Sequence, residues 1–147
     1  MRKVPHGSGF GACTWHRVPM AIDFSLSPEL EAIRMRVRTF VNDVIRPEER
    51  RIEGGIGESG LEGGERIAAL IGMRKAAFAE GIWLPHMPEE WGGMGLGHVE
   101  LAMVQAEAAK SSYGPWVFNC QAPDEGNMHT LLHWGTDAQT EKYLRPL

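Results

Sequence analysis

Ser27-Pro-Glu-Leu-Glu-Ala-Ile-Arg-Met-Arg-Val-Arg-Thr-Phe-Val-Asn-Asp-Val-Ile-Arg-Pro47 decides the fold class. Ser27 is a helix N-cap residue, and Pro28 suits the first helical position, where its missing N–H is no loss. Glu29 and Glu31 follow in the first turn, where the helix dipole favours acids. Leu30, Ile33, Val37, Phe40, Val41, Val44 and Ile45 then recur at spacings of three and four, one apolar stripe on a 3.6-residue period. Pro47 is expected to end this helix. Six acids and six arginines lie between Glu29 and Glu53, and such balanced charge reads as a solvated face rather than a binding site.

The rest of the chain repeats the helical pattern. Six glycines between Gly54 and Gly64 form a mobile loop. Gly55-Ile-Gly57-Glu-Ser-Gly60 has the spacing of a dinucleotide-binding loop, but charged Arg50-Arg51-Ile52-Glu53 stands where a β-strand is needed, so no phosphate loop is expected. A second helix runs from about Glu65 to Glu80 and should pack on the first. Ile67, Leu70, Ile71, Arg74 and Phe78 mark its faces, and Gly81 stands in the C-terminal cap. Two prolines and four glycines in Ile82 to Gly97 spell an ordered connector with at least one positive φ at Gly92 or Gly93. A third helix, Val99 to about Ser111, is apolar on most of its circumference and reads as central and buried. A fourth carries Met128, Leu131, Leu132 and Trp134 and closes at Gly135. A last one opens with the capping box Thr136-Asp-Ala-Gln139 and runs to Pro146. No segment alternates long enough to be a strand. The expectation is all-α, an orthogonal or up-down bundle of about five to six helices.

Composition narrows the function. The chain has 147 residues, 43% hydrophobic and 23% charged, the balance of one globular domain. A formal charge of −4 leaves no basic excess to hold a phosphate backbone, which argues against nucleic acid. No apolar run reaches membrane-spanning length. Cys13 and Cys120 read as free thiols of a reducing compartment, so a cytoplasmic location is expected, with a mitochondrial one kept open by the acid-poor start. Residues 1–21 read as a disordered tail and 22–147 as the domain.

Few residues suggest chemistry. Cys13 and His16 lack the second pair a structural zinc needs. His129 and His133 would share a helix face, but the glutamate of the metalloprotease pattern is missing, so two polar-face histidines are the better reading. Adjacent Asp124 and Glu125 point apart on most backbones. Met94, Met103 and Met128 could line a pocket or fill the core. No Gly-x-Ser-x-Gly elbow is present. No residue is assigned as catalytic, cofactor-binding or metal-ligating.

Two stretches carry a resemblance: Leu84-Pro-His-Met-Pro-Glu-Glu-Trp-Gly-Gly-Met-Gly95, and His133-Trp-Gly-Thr-Asp-Ala-Gln-Thr-Glu-Lys-Tyr-Leu-Arg-Pro-Leu147. They resemble the amino-terminal helical domain of the acyl-CoA dehydrogenases over about Ile22 to Leu147. Asn119-Cys-Gln-Ala-Pro-Asp-Glu-Gly-Asn-Met128 looks most like the branch associated with long-chain or hydroxylated acyl substrates. The Gly-rich loop at 54–64 departs from the family pattern.

The resemblance implies an FAD-dependent oxidoreductase of fatty acid metabolism. A carboxylate takes a proton from the acyl α-carbon while hydride leaves the β-carbon for the flavin. It also implies a middle β-domain and a carboxy-terminal helical domain that hold FAD and the base, an acyl-CoA substrate, an electron-accepting flavoprotein and a homo-oligomer. By the same resemblance this domain, a fragment or truncated product not catalytic alone, supplies a wall of the acyl cavity between Val117 and Met128. Phe118, Cys120, Ala122 and Met128 are the candidates, with plain packing as their other role. A non-catalytic helical interaction module is the alternative. The largely apolar third helix and the Trp116–Ala122 loop imply an uncovered apolar patch near Trp116, Phe118 and Met128.

Overall fold

A computed structural model describes residues 25–56 and 58–147. The tail, the Cys13–His16 pair and Gly57 lie outside the described residues. Six helical rods make up the described part, and no strand occurs among its residues. The first rod is α1 (Pro28–Phe40), a π-helical turn (Val41–Ile45) and α2 (Arg46–Glu53). Then come α3 (Gly63–Ala79), α4 (His98–Ala108), α5 (Gly114–Val117), α6 (Asp124–Trp134) and α7 (Asp137–Gln139), which continues as a π-helical turn (Thr140–Leu144). The all-helical expectation holds. No described helix is long and apolar enough to cross a membrane.

Local chemistry sets the boundaries. Ser27 Oγ accepts the Leu30 N–H as the α1 cap, and Thr136 with Gln139 forms the expected capping box. Pro47 does not end the first helix. The chain widens into the π-helical turn, where Arg46 N–H donates to Val41 O, and the helix resumes as α2 with Pro47 in its first turn. A turn with i→i+5 bonding accommodates a residue that has no N–H to give. The C-terminus of α3 closes as expected at Gly81, φ 65°, with Ile82 N–H donating to Ala77 O. Arg36 of α1 adds a 2.6 Å hydrogen bond to Glu80 O, tying the two helices together. The glycine loop is pinned as well: Leu61 N–H donates to Ile52 O.

Two apolar clusters hold the bundle. The larger joins Val37, Phe40, Val41, Ile45 and Ile52 of the first rod to Met73 and Ala77 of α3, Val104 and Ala108 of α4, and Val117, Phe118 and Cys120. The smaller joins Leu84 and Met87 of the connector to Met128 of α6 and Leu144. Two expectations are corrected here. Helix α4 is half-buried: Leu101, Val104, Glu107 and Ala108 face inward, while Val99, Ala102, Ala106 and Ala109 are exposed. The apolar patch is not where it was expected, because Phe118 and Met128 are core residues at 0% and 1% exposure and Trp116 is half-buried. The large exposed apolar side chains lie elsewhere, among them Ile67, Ile71 and Phe78, which share one face of α3.

The connector is built as its glycines demand. Gly92 is left-handed at φ 80°. At Gly93 a Cβ would lie 2.1 Å from Met87 O and 2.6 Å from Leu84 O, so no side chain fits. Leu84 itself takes φ 48° and donates its N–H to Phe118 O, tying the connector to the segment that follows α5.

Candidate functional site

The segment from Val117 to Met128 runs between the two clusters. Phe118 packs into the larger one, its ring 5.7 Å from that of Phe40. Cys120 is buried beside it as a free thiol, and burial, with the nearby Glu125 carboxylate second, pushes its pKa up to about 12. Met128 belongs to the other cluster, and Ala122 is exposed, joined to Pro123 by a cis peptide bond. The four candidates therefore do not line one cavity: three are packed and one reaches the surface. Met128 borders a 110 Å³ cavity with Leu84, Met87, Trp91, Leu144 and Leu147 among its walls. Met94 leans on the larger cluster and Met128 sits in the smaller, so the methionines do not line one pocket.

Residues of other elements clamp this segment. Arg74 of α3 donates to Trp116 O and to Asn119 Oδ1, both at 3.0 Å, with its guanidinium 3.8 Å from the Trp116 ring centroid and 5.1 Å from that of Trp83. Burial lowers the Arg74 pKa, but the guanidinium stays charged. Asn119 is 1% exposed at φ 54°, a conformation asparagine tolerates, and its amide donates to Leu147 O. Gln105 of α4 donates to Cys120 O and to Glu125 at the start of α6. Reading the sequence missed Asn119 and Gln105 and placed Arg74 only as a face marker. An asparagine inside an apolar run and an arginine among the apolar helix positions were the available signals.

Two polar clusters lie outside this segment. Glu107 on α4, a residue the sequence reading passed over, accepts from Arg38 at 2.6 Å, Arg34 at 2.9 Å and Lys110 at 2.5 Å. These bonds, Arg38's foremost, hold its carboxyl down at about 2 against the opposing cost of burial. Arg34 and Arg38 thus serve an interhelical contact and not only a solvated face. In the other, His86, His129 and His133 form a row of rings. No group of three His, Cys, Asp or Glu among the described residues is placed to hold a metal ion.

The profile described as Acyl-CoA dehydrogenase, N-terminal domain, matches residues 27–147. Acyl-CoA dehydrogenase family member 11 of Rattus norvegicus is 32% identical over 126 residues, which cover 84% of this chain and 16% of that protein. Acyl-CoA dehydrogenase family member 10 of Mus musculus is 30% identical over 127 residues, 83% of this chain and 12% of its own length. A solved chain from Mycobacterium abscessus, likewise assigned to the acyl-CoA dehydrogenases, superposes with a TM-score of 0.71 at 30% identity, covering 84% of this chain and 32% of that one. The chain thus spans a minor part of the length of the relatives it matches. The profile match over residues 27–147 and the shared all-helical fold show that this chain belongs to the acyl-CoA dehydrogenase family, as its amino-terminal helical domain.

Proposed function

We propose that this domain is a wall of the acyl cavity in an FAD-dependent dehydrogenase that desaturates acyl-CoA thioesters, and that it is not catalytic alone. The observation that carries the reading is the joint match of residues 27–147, in sequence and in fold, to that family's first domain. The clamp made by Arg74, Asn119 and Gln105 supports it, since a binding wall is best held rigid before the ligand arrives. In this reading Ala122 faces the ligand, while Phe118, Cys120 and Met128 set the wall's position from behind. The Asn119–Met128 stretch adds long-chain or hydroxylated acyl thioesters as the substrate class.

We read no flavin seat into the glycine loop. The loop with dinucleotide-like spacing follows helix α2 rather than a strand, and a Cβ at Gly60 would lie 2.2 Å from Ile52 O, so the backbone at Gly60 is already packed where a phosphate would need room. FAD, the base carboxylate and the docking of an electron-accepting flavoprotein are therefore ascribed to a middle β-domain and a second helical domain of a homo-oligomeric, cytoplasmic enzyme. Residues 22–147 are the domain and 1–21 its tail.

The test is made in the enzyme that joins this domain to those two. Ala122→Trp should lower kcat/KM for long-chain acyl-CoA by about ten-fold relative to short-chain acyl-CoA, with the flavin content unchanged. An unaltered chain-length profile in both Ala122→Trp and Met128→Ala would overturn the wall, and a yellow, dye-reducing preparation of residues 1–147 would overturn the dependence on other domains.

A further inference from the structure

His86 is 5% exposed, and among the described residues neither of its ring nitrogens has a hydrogen-bond partner. Buried imidazoles are ordinarily satisfied, so an orphaned one calls for an explanation. Its ring lies 5.1 Å from that of His129 on α6, tilted by 55°, and the His129 ring stacks on that of His133 at 6.1 Å with the planes 7° apart. This row crosses the place where the connector meets α6, beside the contact of Leu84 and Met87 with Met128 and Leu144.

We propose that the row is an acid-sensitive latch between the connector and α6. It is closed while His86 is neutral and released when a proton on His86 puts an unpaired charge into the apolar seam. Among the described residues no carboxylate acts on that charge. Glu89 and Glu90, next along the connector, are exposed, and Glu125 on α6 accepts from Gln105. Just past the last helix Arg145 is paired with Glu141 and lies over the Trp91 ring. The titratable group whose charge acts on His86 is His129, which is repulsive when protonated.

Burial first, and His129 second, hold the His86 pKa down at about 4, against an ordinary value of 6.5. The sign follows. An opened seam binds a proton that the closed one refuses, so opening is favoured as pH falls from about 6.5 to about 4. If opening restores the ordinary value, the opening equilibrium rises roughly twenty-fold between pH 7 and pH 5. The larger cluster has no histidine among the described residues, so the effect should be confined to the connector and α6.

Amide hydrogen exchange of the whole chain at pH 7, 6 and 5, corrected for intrinsic exchange, reads this directly. Protection of α6 should fall by that factor while α1 and α4 keep theirs, and His86→Phe, which fills the site without a titrating group, should abolish the difference. Equal pH dependence in His86→Phe, or none in the parent chain, overturns the latch. Should His86→Phe fail to fold, the imidazole resonances of the parent decide: titration of His86 below pH 5 supports the latch, and titration near 6.5 overturns it.

Discussion

Glu107 and His86 are buried almost equally, at 4% and 5% exposure, yet among the described residues one has three ionic partners and the other none. Both pKa values are pushed down, to about 2 and about 4, with opposite meaning. For the carboxyl the shift records a favoured charged form, held by Arg38 and its companions. For the imidazole it records a charged form that burial forbids. Depth of burial does not decide whether a titratable group strengthens or weakens a seam; the supply of partners does. The α1–α4 contact is thus locked by charge, and the connector–α6 contact depends on the absence of charge.

The most direct way to break the comparison is to take the carboxylate from the locked side. Glu107→Ala should cost about 2–4 kcal/mol at neutral pH, because Arg34, Arg38 and Lys110 are left facing one another, and urea unfolding measures it. The folded pKa lies below the ordinary 4.5, so the parent keeps Glu107's contribution above about pH 4.5 and loses it as pH falls through about 2. The His86 effect lies at higher pH, between about 6.5 and 4. The two seams should therefore come apart in different pH windows, the connector first. Equal stability of parent and Glu107→Ala at neutral pH would show the network to be incidental.

On the uncharged side the backbone bears the load, and the two adjacent glycines separate its causes. Gly93→Val meets two carbonyls at clashing distance and should cost about 3 kcal/mol, whereas Gly92→Val faces no neighbour within 4 Å and carries only the strain of φ 80°, about 1–2 kcal/mol. Thermal melting that ranks them in the reverse order would mean that the turn rebuilds itself around the new side chain. The smallest effect expected is at the exposed pair Glu141–Arg145, 60% and 61% exposed despite a 2.7 Å contact. Glu141→Gln should leave the melting temperature unchanged, which sharpens the contrast with Glu107: similar distances, but water already solvates the exposed pair. A clear loss of stability in that variant would undo the contrast.

Much of the fold was legible because it is written in local rules. Ser27-Pro28, the Thr136–Gln139 capping box, Gly81 and Gly92 act within one or two turns of themselves, and each is found in its expected role. Pro47 misled because the relief of its missing N–H is a widened turn upstream, which no residue type spells out. The candidate wall was half legible. The segment Val117–Met128 could be marked by resemblance, but which of its side chains look inward was not visible, since an irregular segment has no period from which to read a face.

By itself, the sequence determined that the chain is helical, where most helices begin and end, and which family pattern it carries, because caps, turn glycines and 3.6-residue periodicity are properties of neighbouring residues. Only the tertiary structure decided that Glu107 meets two arginines about seventy positions away, that Arg74 clamps Asn119 across 45 positions, and that His86 is left without a hydrogen-bond partner among the described residues beside His129. Charge compensation depends on distance in space, and residues far apart in the chain acquire that distance when the helices pack.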